Sequence, residues 1–357
     1  MNHTMLHVTV AFVLAAALVA INHRRYARRM HLVEDEMGNE SLVVEATIGG
    51  LRTLFMIDTA YGGAPVLSTS FLSVQNRCGR GGGNVHSHAR RCLHELRTNV
   101  TDDDRSTAVS SELLARTNCR AFTAGCTMRL MGIGETSENQ SDMLLCPSIR
   151  IDGARDVDPV QADILVSNPL RGTPHILTMD YLLHRAPCTL YMRRGVLTFY
   201  DTSGAFHPLA ATMMGGSFVV PMTVGGASMN VVLDTGSSAT LSVSSTSLAR
   251  IATCGTETPA KKVRQRGVNG EEVCSDILLA EVVIGPLSVG TIPILANDTP
   301  VQGSDGYAGM GLLRAFDMRF EPNRVGVRHS GLPVRAPRGH SPGTCGNALP
   351  SCAARRR

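Results

Sequence analysis

Two aspartates, Asp58 and Asp234, each end an apolar stretch and are each followed by threonine, as Ile57-Asp58-Thr59 and Leu233-Asp234-Thr235. A carboxylate at the end of a buried apolar strand is costly unless it is paired or hydrogen-bonded. Meeting the same arrangement twice suggests one shared site on a pseudo-twofold axis. Two carboxyl groups about 3 Å apart cannot both ionise, so the pair holds one proton between them. The ionised member can take a proton from a water held between the two. The protonated member can hydrogen-bond the carbonyl oxygen of an amide, which gives general acid–base hydrolysis with no covalent intermediate. The neighbours suit that work. Thr59 and Thr235 can bond across to the opposite loop, Gly236 permits close backbone approach, and Ser237 can hydrogen-bond an Asp oxygen in support.

The elements that carry these residues repeat. Leu42-Val43-Val44 is echoed by Phe218-Val219-Val220, and Thr47-Ile48-Gly49-Gly50 by Thr223-Val224-Gly225-Gly226. The aspartates keep the same offset of 176 positions (234 − 58). Each copy reads as a strand, a Gly-Gly turn, a return strand and an Asp-bearing loop. A second echo pairs Ile176–Leu183 with Tyr307–Leu313. The first copy is longer between these landmarks by 45 positions (179 − 58 against 310 − 234). That difference places an insertion at about 76–125, a polar stretch expected to be an aperiodic surface excursion.

These residues resemble the aspartic protease superfamily, whose signature is Asp-Thr/Ser-Gly after an apolar strand. The second copy carries it in full as Val231-Val232-Leu233-Asp234-Thr235-Gly236-Ser237-Ser238. Val282-Val283-Ile284-Gly285, Ile292-Pro293-Ile294-Leu295 and Ala308-Gly309-Met310-Gly311-Leu312-Leu313 are similar to later segments of the retroviral-type (retropepsin-like) branch. The first copy departs from the pattern at Ala60, Tyr61 and Thr178, where glycine or a small residue is usual, and bulky Tyr61 would crowd the site. The resemblance implies an all-β, two-lobed acid-protease β-barrel fold with a pseudo-twofold axis. It implies an aspartic endopeptidase acting on polypeptide with Asp58, Asp234 and a bound water, and with no cofactor or metal. By the same resemblance Val268, Asn269 and Gly270 form the tip of a flap hairpin, and Met131, Gly132 and Ile133 are the first-lobe candidates. Retropepsin-like units fused in one chain imply a monomer holding an intramolecular pseudo-dimer. The alternative is a catalytically inactive, membrane-tethered module that holds extended peptides in its cleft by β-addition. A third reading has the second lobe homodimerising while the first is structural.

Outside this core, Met5–Ile21 is an uncharged apolar run followed by Arg24, Arg25, Arg28 and Arg29. It is read as a single-pass membrane anchor rather than a cleaved signal peptide, because no Lys or Arg precedes it. The basic flank argues for a cytoplasmic catalytic part. Five N-x-S/T sequons, at Asn2, Asn39, Asn99, Asn139 and Asn297, argue for a lumenal one, so the side stays open. The expected layout is therefore an anchor with its flank over 1–30, a first lobe over 41–201, a linker over 202–216, a second lobe over 217–329 and an unstructured tail over 330–357.

Composition excludes several classes. The net charge of +4 lies largely in the terminal arginines and gives no argument for nucleic-acid binding. Many Gly (35), no Trp and 18% charged residues suit a turn-rich β protein. Ten Cys in a chain this long define no disulfide framework. Cys254 and Cys274 flank the second flap and would pair in an oxidising compartment, or stay as free buried thiols in the cytoplasm. Cys78, His86, His88, Cys92 and His94 are residue types that bind zinc, but their spacing matches no closed site.

Overall fold

The computed structural model describes residues 27–35, 38–79, 84–98, 111–121, 127–130, 139–146, 149–151, 163–168, 174–253, 261–266, 272–296 and 303–335. It is mostly β. Strands of the first half are β1 (Ala27–Glu34), β2 (Glu40–Ile48), β3 (Leu51–Asp58), β4 (Val66–Ser68), β5 (Arg120–Ala121), β6 (Thr127–Leu130), β7 (Asn139–Cys146), β8 (Arg150–Ile151), β9 (Asp163–Asn168), β10 (Ile176–Thr178), β11 (Cys188–Tyr191) and β12 (Val196–Phe199). Those of the second half are β13 (His207–Ala210), β14 (Thr212–Met214), β15 (Ser217–Val224), β16 (Ala227–Leu233), β17 (Leu241–Val243), β18 (Lys261–Arg266), β19 (Glu272–Ile284), β20 (Leu287–Ala296), β21 (Gly306–Ala308), β22 (Phe316–Glu321) and β23 (Arg324–His329). The helices are α1 (Thr69–Cys78), α2 (Val85–Thr98), α3 (Ser111–Thr117), α4 (Met179–Arg185), α5 (Ser245–Thr253) and α6 (Met310–Leu313).

Gly-Gly turns set the first hairpin of each half. Gly49 and Gly50 have φ of 53° and 89°, and Gly225 and Gly226 have 53° and 83°. Two left-handed residues in a row make the two-residue turn that matches strand twist. It closes Ile48 against Leu51 and Val224 against Ala227. From there both halves pair alike. The order β1-β2-β3-β10-β4-β9-β7 of one sheet is matched, with the same parallel and antiparallel senses from strand to strand, by β14-β15-β16-β21-β17-β20-β19 of the other. In each half the aspartate strand lies beside a parallel neighbour: Leu177 pairs with Ile57, and Ala308 with Leu233.

The halves are joined by a run of six strands, β13-β23-β22-β11-β12-β1, in which β1 precedes the first half, β11 to β13 lie mid-chain and β22 and β23 follow the second half. One buried cluster crosses between them, with Phe55, Ile57 and Leu177 from the first half and Phe218, Leu233 and Phe320 from the second. The Phe218 and Phe320 rings lie 5.3 Å apart. Full burial of each such side chain stabilises the fold by about 1.5–3 kcal/mol.

Four expectations need correction. The 76–125 stretch is not a bare excursion: α2 places Ala89, Cys92, Leu93 and Leu96 on one helical face, where they are buried against Val33, Val43, Leu54, Phe71 and Val74. Its polar opposite face hid that stripe in the composition. Leu93→Ala should therefore lower stability by about 2–5 kcal/mol through the cavity it leaves, read as a lower urea midpoint. The basic flank does not end before the fold, because Arg28 and Arg29 lie in β1, paired with Leu197 and Val196. The span 202–216 is not a plain linker, since β13 and β14 occupy it. The tail packs as far as Arg335, whose backbone N–H donates to Gly311 O at 2.8 Å. The Arg335 guanidinium donates to both Glu34 carboxylate oxygens at 2.6 Å.

Cys119 and Cys146 form a disulfide, while Cys78, Cys92 and Cys188 are free. Cys254 lies outside the described residues, so its pairing with Cys274 does too. Among the described residues no helix is long and apolar enough to cross a membrane, and Met5–Ile21 lies outside them.

Candidate active site

Asp58 ends β3, and Asp234 follows β16 directly. The two loops meet at the junction of the halves and brace each other reciprocally. Thr59 Oγ1 donates to Leu233 O at 2.7 Å and accepts the Thr235 N–H at 3.0 Å. Thr235 Oγ1 donates to Ile57 O at 2.7 Å and accepts the Thr59 N–H at 3.1 Å. Both threonines are completely buried. These four bonds tie each aspartate's strand end to the other half, so neither loop can shift alone.

Each carboxylate is then aimed by its own loop. Asp58 Oδ1 accepts the N–H groups of Ala60 and Tyr61 at 2.9 and 3.0 Å. Asp234 Oδ1 accepts those of Gly236 and Ser237 at 2.9 and 3.0 Å. The two carboxyls are close neighbours: a Cβ added at Gly236 would lie 2.7 Å from Asp58 Cγ and 3.1 Å from Asp234 Oδ1. Only glycine leaves that space for a carboxyl from the opposite loop. Burial, then the neighbouring Asp58 charge, pushes the Asp234 carboxyl well above the usual carboxylate range against the pull of its two N–H donors. Burial likewise raises Asp58, opposed by the Ala60 and Tyr61 N–H groups. A buried, mutually repelling pair of this kind can keep one proton near neutral pH, acting as acid on one side and base on the other.

The candidate residues Asp58, Asp234, Thr59, Thr235, Gly236 and Ser237 thus lie together. Ser237 bonds an Asp oxygen, as its place in the loop suggests: its backbone N–H donates to Asp234 Oδ1, and its hydroxyl accepts from Ala239 N at 3.2 Å. The Tyr61 side chain packs on Met56, Val66 and Ile176. Burial, then the Asp58 charge, pushes the Tyr61 phenol up to about 12, so it stays protonated. The candidate flap residues Met131, Gly132, Ile133, Val268, Asn269 and Gly270 lie outside the described residues. The strands that flank them are paired: β6 with β7 from Leu130 opposite Asn139, and β18 with β19 from Arg266 opposite Glu272.

Two further side chains hold the Asp58 loop. Thr178 Oγ1 donates to Gly63 O at 2.7 Å, and Asp180 Oδ2 accepts the Gly63 N–H at 2.9 Å. Asp180 went unmarked in the sequence, and Thr178 stood out only as a departure from pattern. His175, just before β10, accepts the Ser68 N–H at 2.9 Å and packs against Phe55 and Phe71. Burial pushes its imidazole down to about 3, so it is a neutral packing group. Among the described residues no group of three or more His, Cys, Asp or Glu is arranged to hold a metal. Cys92 and His88 of the sequence cluster do touch, with Sγ 3.7 Å from His88 Nε2.

Compared with known families, residues 220–313 match the model described as aspartyl protease. The matched span contains Asp234, Thr235, Gly236 and Ser237 and the Gly309–Leu313 segment, and it supports a protease-like function. The chain matches no curated protein sequence.

Proposed function

We propose that the chain is an aspartic endopeptidase in which Asp58 and Asp234 form the catalytic dyad and a water between them attacks the peptide carbonyl. The observation that carries the reading is the reciprocal Thr59–Thr235 bracing beneath two carboxyls whose proton affinities are raised together. One carboxylate takes a proton from the water. The protonated partner hydrogen-bonds the substrate carbonyl and stabilises the charge that develops there. The dyad then returns a proton to the leaving amine. Thr59, Thr235, Gly236 and Ser237 keep the geometry, and the tips at Met131–Ile133 and Val268–Gly270 are proposed to close over the substrate. The like pairing order of the halves supports duplicated retropepsin-like lobes in one chain, working as a monomer. The run Met5–Ile21 supports a single-pass anchor ahead of β1.

The test is the pH dependence of peptide cleavage. Both folded carboxyls titrate above their unfolded values, so the pair contributes its full stability in acid and loses it as pH rises through those raised values. Activity should follow the singly protonated dyad. A bell with its maximum below neutrality is expected, falling about tenfold per pH unit on the alkaline limb, and a statine-type transition-state mimic should inhibit it. A rate that climbs steadily into the alkaline range would overturn the dyad. Tight binding of uncut peptide would leave an inactive peptide-holding module in its place.

A further inference from the structure

The first half departs from the glycine pattern of the second at Thr178 and Asp180, and both side chains end on the same residue, Gly63. We infer that Thr178 and Asp180 are positioning residues that hold the Asp58 loop in its working conformation, replacing backbone contacts that glycines make in the other half. This rests on the dyad reading, and it makes the departure a compensation rather than decay.

The two halves solve the same problem differently. In the second half Gly309 and Gly311 stand where Thr178 and Asp180 stand in the first. There the backbone does the holding: Gly309 N–H donates to Thr240 O at 3.0 Å, Met310 N–H to Ser237 O at 2.7 Å and Gly311 N–H to Ala239 O at 3.0 Å. A Cβ at Gly309 would lie 2.5 Å from Ala239 O and 2.8 Å from Ser237 O, so no side chain fits. In the first half a threonine does fit, and its hydroxyl works twice. It donates to Gly63 O, and it caps α4 by accepting the Tyr181 N–H at 3.2 Å. Asp180 takes the Gly63 N–H, so donor and acceptor of one peptide position are both held by side chains.

The grip is locked from the other half. A Cβ at Gly62 would lie 2.8 Å from Gly216 Cα, and one at Gly216 would lie 3.1 Å from Asp180 Cγ. The Ser217 hydroxyl donates to Ala60 O. The turn between β14 and β15 therefore presses the Asp58 loop against Thr178 and Asp180. Gly236 gives room to the Asp58 carboxyl, whereas Gly62 gives room to the backbone of the Gly215–Gly216 turn. Position 60 carries an alanine that packs beside Val219, Val232 and Tyr307.

The experiment compares full-length Thr178→Val, Thr178→Gly, Thr178→Ser and Asp180→Leu with wild type. Valine keeps the shape and removes the hydroxyl, and kcat should fall about 10–100-fold with KM little changed. Loosening the Ala60 and Tyr61 N–H groups around Asp58 should also move the acid limb of the pH–rate profile to higher pH. Serine should restore both. Thr178→Gly is the decisive variant. It restores the pattern of the second half, so a decayed loop would gain activity from it, whereas a side-chain-held loop loses activity. Amide exchange at Gly63 gives a readout independent of catalysis: protection should be strong in wild type and weak in Thr178→Val and Asp180→Leu. Unchanged protection in both variants, or higher kcat in Thr178→Gly, overturns the inference. If wild type cleaves nothing, the dyad reading fails while the exchange result still decides how the loop is held.

Discussion

Asp234→Asn is expected to lower peptide hydrolysis by at least about 10²–10⁴-fold while the protein stays folded. Asparagine keeps the shape, and its amide oxygen can still accept the Gly236 and Ser237 N–H groups that now reach Asp234 Oδ1. It can neither hold nor release the shared proton. It also removes the like charge that opposes Asp58, so the urea midpoint should be unchanged or higher at neutral pH. The variant thus separates catalysis from folding. Full activity in Asp234→Asn would end the proposed mechanism. Asp58→Asn should match it, and if Asp58→Asn alone kept full activity, a site built from two second lobes would be the better account.

Thr59→Val should be a strongly destabilising change, matched by Thr235→Val, whose hydroxyl makes the reciprocal pair of bonds. The hydroxyl is buried with a donor bond to Leu233 O and an acceptor bond from Thr235 N, each reaching across the halves. Valine leaves a carbonyl and an N–H buried without partners, at about 1–3 kcal/mol each. A total loss of about 2–6 kcal/mol is expected in chemical denaturation, and Thr59→Ser should recover most of it. Activity should fall with stability, because the Thr59–Thr235 bonds fix the separation of the carboxyls. A Thr59→Val protein as stable as wild type would mean the loops are held elsewhere.

How much of this was readable in advance follows from the range of each interaction. The hairpins were legible because a Gly-Gly turn after an alternating strand is a local signal. The paired aspartates were legible because the chain repeats them with their flanking residues. That Ser237 bonds an Asp oxygen was legible from its place just after Asp234, and the folded loop decided that its backbone N–H does so. The buried face of α2 was missed because four apolar residues in a polar helix look unremarkable until Phe71 and Val74 of α1 are seen against them. Cys119 and Cys146 were not singled out among ten cysteines, for nothing in their spacing marks them as a pair.

Residue order alone was enough to establish a two-part β protein with an aspartate loop in each part, because strand alternation, glycine turns and internal repetition are written in neighbouring positions. Folding had to supply the rest. The Thr59–Thr235 bonds join residues 176 positions apart, and the Thr178 and Asp180 bonds to Gly63 span 115 and 117. Whether Ala60, Tyr61 and Thr178 spoil the first loop or suit it depends on which surfaces meet across those distances. Hydrogen bonds and close packing are satisfied between groups that touch, and only the packed chain decides which groups those are.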